Sequence, residues 1–190
     1  MDQLIKGNQR FAAGKAKHGH QSAKYRQELA GGQHPFATVV GCSDSRVPVE
    51  LVFDQGFGDL FVVRVAGNVI DTNAMGSVEY AVHHLHTPLI VVVGHEGCGA
   101  VTSALMSAED RSQEAKAIQD LLNQIEPAVK DLDPKLAPSD RLHQGVEANV
   151  RQSVQQLQAS ADLMQPHEGD APMVVGAVYD LTTGKVRFLK

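Results

Sequence analysis

Two cysteines and one histidine carry the most telling chemistry of this chain. Cys42 stands in Gly41-Cys42-Ser43-Asp44-Ser45-Arg46, and about fifty residues later His95 and Cys98 stand in Gly94-His95-Glu96-Gly97-Cys98-Gly99. Two thiolates and an imidazole suit zinc, and three protein ligands leave the fourth tetrahedral position open for chemistry. A closed, structural zinc site would need a fourth Cys or His. The sequence has no third cysteine, and His83, His84 and His86 fall on a predicted helix without ligand spacing. A disulfide is the plain alternative for a cysteine pair, disfavoured wherever thiols are kept reduced. A reactive thiol, its pKa lowered at a helix N-terminus, is the other. Asp44 and Arg46 follow the first cysteine by two and four positions. A carboxylate and a guanidinium pair through two parallel hydrogen bonds. Such a pair on an open surface contributes little; beside a metal ligand it would orient Asp44.

Both segments must be delivered to one place, and the surrounding pattern says how. Residues 36–41, 60–65 and 89–94 are short, nearly continuous apolar runs, as expected of central parallel strands covered on both faces. Helical patterns over 73–86 and 100–107 alternate with them, which predicts βαβ units with right-handed crossovers. The two chemical segments each follow such a strand. In an open parallel sheet the carboxyl ends of the strands line the ligand crevice, so both should emerge on the same edge. Further helices are predicted over 112–125 and 142–157, with Pro127, Pro134 and Pro138 marking a loop between them. Strands are predicted over 173–179 and 185–189, joined by a hairpin-like turn. Residues 3–13 and 21–29 read as polar helices of an N-terminal arm, 1–32. The expected fold is α/β: a mostly parallel central sheet with helices on both faces, the helical arm and extra C-terminal strands, all in one domain spanning 1–190.

Composition narrows the function classes. With Lys+Arg 17 against Asp+Glu 22 and a net charge of -5, nothing favours nucleic acid, and no basic run marks a backbone-binding patch. No stretch approaches the roughly 20 apolar residues of a membrane span, and the N-terminus lacks an apolar signal core. A cytoplasmic protein is expected, unless a leader was removed.

Cys-x-Asp-x-Arg followed at this distance by His-x-x-Cys resembles the β-class carbonic anhydrases. Similarity continues through Phe61-Val62-Val63-Arg64, Ala66, Asn68, Ser77-Val78-Glu79-Tyr80 and Val178-Tyr179-Asp180, and is strongest over residues 30–105. The resemblance implies reversible hydration of CO2 to bicarbonate and a proton, with one Zn2+ per chain held by Cys42, His95 and Cys98. Zinc-bound hydroxide would attack CO2, Asp44 would accept its hydrogen bond, and Arg46 would hold Asp44. It further implies that Gln33, Phe61, Ala66, Tyr80 and the Gly99 N–H surround the substrate. The pocket would lie at a dimer interface, with Gln33, Phe61 and Tyr80 supplied by the neighbouring subunit, in a homodimer or tetramer whose dimerisation uses the N-terminal arm, 1–32.

In some members Asp44's counterpart leaves its arginine and becomes a fourth zinc ligand, closing the site. Bicarbonate bound by a Trp, an Arg and a Tyr stabilises that state. Arg64 and Tyr179 match two of these; the Trp position is Val39, so an open site is expected, with closure at low pH still open. Two other functions compete. One is a binding or sensory module that kept the metal without turnover, disfavoured by the presence of all five motif residues. The other is a thiol redox enzyme or a zinc hydrolase of a related heterocumulene, CS2 or COS, on the same fold.

Overall fold

The structure, a computed structural model, describes residues 1–165 and 170–190. In chain order its elements are α1 (Asp2–Ala12), α2 (Ala23–Glu28), β1 (Ala37–Gly41), α3 (Val49–Val52), β2 (Leu60–Arg64), α4 (Thr72–Leu85), β3 (Leu89–His95), α5 (Gly99–Ala104), α6 (Ala108–Ser112), α7 (Lys116–Val129), α8 (Pro138–Ala159), α9 (Ala161–Met164), β4 (Met173–Tyr179) and β5 (Val186–Phe188). The strands form one sheet in the order β2-β1-β3-β4-β5. The first four run parallel, and β5 returns antiparallel to β4. The expected mostly parallel α/β sheet with extra C-terminal strands is therefore present.

The continuous apolar runs make sense once both faces are covered. Successive side chains of a strand point to opposite faces. Val40, Ile90, Val92 and Val178 enter one core with α4, α5, α7 and α8, among them Val78, Val101, Ile125 and Val150. Val39, Val91, Val93 and Ala177 enter the other, with Leu4 of α1 and Val49 and Phe53 at α3. Every residue of β1 and β3 is buried. No helix among the described residues is long and apolar enough to cross a membrane.

Three local expectations are revised. A helix over 112–125 is instead two: Ser107 caps α6 by accepting from the Asp110 N–H, and α7 begins only at Lys116. Pro127 does not mark a loop but sits in the last turn of α7. Pro138 opens α8, where its missing N–H costs nothing. In the N-terminal arm, α1 is anchored to its own chain. Leu4 is fully buried, and the Asn8 Nδ2 donates to the carbonyls of Val52 at 3.1 Å and Gly184 at 2.8 Å. Gly7 lets this helix touch α3's C-terminal end, since a Cβ there would lie 1.9 Å from the Phe53 carbonyl oxygen. The following α2 buries no residue.

Candidate metal centre and active site

Strand pairing brings the two chemical segments together. Gly41 of β1 is level with Val93 of β3, so Cys42 leaves the sheet beside Gly94 and His95. His95 is itself the last residue of β3, in register with Tyr179. Cys98 caps α5, and Gly99 is that helix's first residue. The thiol sulfurs of Cys42 and Cys98 and a ring nitrogen of His95 lie within 4.8 Å of one another. All three residues are buried.

The donor set fits a metal ion. His95 Nδ1 lies 2.9 Å from the Glu96 carbonyl oxygen, an acceptor only, so the proton sits on Nδ1. The lone pair of Nε2 is thus turned inward, and that buried atom has no hydrogen-bond partner. A buried nitrogen without a partner is costly; a cation between it and two thiolates removes the cost. The thiols already interact. The hydrogen bond from Cys98 draws the Cys42 thiol down, against its burial, and the same bond with burial pushes Cys98 up. Burial works to lower His95, but the nearby Cys42 sulfur, the Glu96 carbonyl and the charge of Asp44 raise it above its ordinary value.

Asp44 lies against this group, its Oδ2 3.8 Å from His95 Nε2. Arg46 grips it in a fork: Nε donates to Oδ1 at 2.9 Å and Nη2 to Oδ2 at 2.7 Å. The Arg46 backbone N–H adds a third bond to Oδ1 at 2.9 Å. These bonds, the side-chain ones foremost, hold the Asp44 carboxyl well below the usual carboxylate range. Arg46 also reaches the Gly97 carbonyl at 3.4 Å, tying the first segment to the second.

Residues outside the two motifs hold the loop. Arg64 donates to the carbonyls of Cys42 at 2.9 Å and Asp44 at 2.6 Å, so its guanidinium braces the Cys42–Asp44 backbone. The Gly67 N–H points at Cys42 Sγ from 3.3 Å. Asn149 and Ser153 of α8 hold the carbonyls of Gly67 and Asn68. Glu96 accepts at 2.7 Å from His143, also on α8. The motif residues could not reveal these supports, because most act through backbone groups that every residue type has. One signal was legible: Asn149 and Ser153, one turn apart, interrupt the apolar face of α8 with buried polar side chains.

The remaining expected site residues are dispersed. Ala66 begins the 3-10 turn Ala66–Asn68 after β2, packed beside α5. Phe61, on β2, is half-buried, and its ring stacks at 6.3 Å on that of Tyr80. Tyr80 itself is 49% exposed on α4. Gln33 is exposed in the loop before β1. Val39 is fully buried and Tyr179 nearly so.

A family model described as carbonic anhydrase matches residues 37–186. Carbonic anhydrase 2 of Mycobacterium tuberculosis is 42% identical over 183 residues, covering 96% of this chain and 87% of that protein. Among solved structures, the Coccomyxa β-carbonic anhydrase in complex with acetazolamide has a TM-score of 0.79 at 30% identity, covering 98% of this chain and 84% of that one. A tetrameric β-carbonic anhydrase of Sordaria macrospora has a TM-score of 0.78 at 27% identity, covering 97% and 94%. Sequence, fold and the Cys–His–Cys group agree, and the chain belongs to the β-class carbonic anhydrase family of enzymes.

Proposed function

We propose that Cys42, His95 and Cys98 hold one zinc ion, and that the chain there hydrates CO2 reversibly to bicarbonate and a proton. The observation that carries this reading is the buried, unpartnered His95 Nε2 facing two thiols, with the Asp44–Arg46 fork beside it. Zinc so held supplies a Lewis acid that makes a water acidic near neutral pH.

The chain's own residues do the rest. Asp44, kept ionised by Arg46, is a fixed acceptor. It takes a hydrogen bond from the attacking oxygen and leaves that atom's lone pair directed at carbon. The Glu96 carbonyl fixes the tautomer of His95. The Gly99 N–H, in the first turn of α5, faces the developing oxyanion. Phe61, Ala66 and Tyr80 line an apolar pocket for CO2, and Gln33 contacts bicarbonate. Exposure of Gln33 and of the Tyr80 ring supports completion of the pocket by a second subunit, and the Sordaria relative is itself described as tetrameric. The thiolates must stay reduced, as in a cytoplasm, where we infer the enzyme works.

Stopped-flow CO2 hydration by protein carrying one zinc per chain tests the proposal. A rate equal to the uncatalysed background would sink it. Turnover of COS or CS2 in preference to CO2 would instead favour the related heterocumulene hydrolase.

A further inference from the structure

The core-facing side of α8 presents Gly145, Val146, Val150 and Leu157, yet also Asn149 and Ser153, each 1% exposed. Polar side chains on such a face are costly unless bonded. Both are bonded to the same short turn. Asn149 Nδ2 donates to the Gly67 carbonyl at 2.7 Å, and Ser153 Oγ donates to the Asn68 carbonyl at 3.0 Å. That turn is conformationally demanding, since Gly67 has φ +66° and Asn68 φ +47°. Left-handed backbone is cheap for glycine and uncommon for other residues. A Cβ at 67 would force Ile125 Cδ1, 2.6 Å away, to shift and crowd Ala100 Cβ at 3.1 Å, on top of the strain of the left-handed backbone. The held turn aims one group: the Gly67 N–H, 3.3 Å from Cys42 Sγ.

We propose that Asn149 is a positioning residue for the metal centre, acting through Gly67 to fix an N–H···S hydrogen bond on Cys42. The inference rests on the zinc site of the preceding section. A donor on a thiolate withdraws charge from sulfur, so the metal keeps more of its electrophilic character, and the ligand is held in place. The line runs from the Asn149 amide through the Gly67 backbone to the Cys42 sulfur. The carbonyl that Asn149 holds and the N–H that meets Cys42 belong to the two peptide units flanking the Gly67 Cα, so the coupling is positional: fixing one plane of the turn fixes the direction of the other.

The test uses full-length protein loaded with Co2+ in place of zinc. The sulfur-to-cobalt charge-transfer band is compared between wild type and Asn149→Leu, with Asn149→Ser as a smaller, still polar second variant. Loss of the N–H···S bond raises the sulfur lone pair in energy, so the band moves to longer wavelength. Zinc passes to a chelator about tenfold faster or more. A purely structural Asn149 would lower the melting temperature and leave the band where it is; that result overturns the proposal. In 113Cd-loaded wild type, the Gly67 amide proton shows coupling to cadmium through Cys42, and its absence overturns the proposal even if neither variant folds. A wild type with no cobalt–thiolate band at all would refute the metal site itself, and this inference with it.

Discussion

Asp44 shows how geometry, rather than pairing energy, decides a residue's worth. Its partner Arg46 has a side chain 58% exposed, while that of Asp44 is 17% exposed. Exposed ion pairs contribute at most about 1 kcal/mol to stability, so the fork has little to do with holding the fold. Its effect is to fix two oxygens of a permanently charged acceptor beside His95 Nε2. Asp44→Ala is therefore expected to lower kcat by about 10²-fold or more, the range for a lost acid–base or orienting group. Zinc content should stay near one per chain, and the melting temperature should barely change. Arg46→Lys keeps the charge but loses the fork, and should fall between the two in kcat. Stopped-flow rates with metal analysis on the same samples check both, and an Asp44→Ala enzyme at wild-type rate would remove Asp44 from the mechanism. These residues were readable from sequence because ligand chemistry depends on residue type and local spacing. Gly67 is not, because its contribution passes through peptide groups, and Asn149 shows only as a polar break in the apolar face of α8.

At the scale of elements, the sheet was the legible part. β1 and β3 are buried on both faces, and so their sequences read as unbroken apolar runs. Their parallel pairing then delivers Cys42 and His95 to one edge. The helices between residues 107 and 129 depart from the sequence pattern because Ser107, with Glu109 and Asp110 behind it, is a start signal inside an expected helix end. Pro127 resembles a loop marker in sequence, yet a proline in the last turn forfeits only one helical bond, and the chain continues with Lys130 N–H donating to the Glu126 carbonyl. The N-terminal arm depends on another unread residue, Asp54. Its side chain is 1% exposed and takes Arg10 Nε at 2.5 Å, with the backbone N–H groups of Lys17 and His18 at 2.9 and 3.0 Å. Burial pushes its carboxyl up, but these donors win, and it lies below its ordinary value. A carboxyl lowered by folding adds stability that is full above its unfolded pKa, about 3.9. That stability is lost as pH falls through the folded value. The arm should thus hold at neutral pH and loosen below about pH 4. Asp54→Asn should remove about 2 kcal/mol, as for hydrogen bonds to a charged group. Protection factors from hydrogen exchange at Lys17 and His18, measured against pH, read this directly; protection independent of pH and of the substitution would exclude Asp54 as the anchor.

The whole molecule poses the remaining question, whether one chain holds a complete site. The Cys–His–Cys group proposed to hold the metal and the Asp44–Arg46 fork all come from a single chain. The residues proposed for the pocket divide differently. Phe61 and Tyr80 stack on each other, the Tyr80 ring is half-exposed, and Gln33 is exposed in the loop before β1. If a second subunit completes the pocket with Gln33, defects in the two halves should complement. Cys42→Ser would remove a proposed metal ligand, and Gln33→Ala the proposed substrate contact, so each protein alone should be impaired. Mixed one to one and reassembled, half of the dimers carry one chain of each kind, by the symmetry of random pairing. In such a dimer one site has both defects and the other has neither. About a quarter of all sites should then work as in wild type, with the KM of wild type. A site contained within one chain predicts the opposite, since every metal-competent site would still lack its glutamine. Activity of the mixture no greater than the average of its two components would therefore refute the shared pocket. It would leave the metal centre and the Asp44–Arg46 fork untouched, because both were built without a partner.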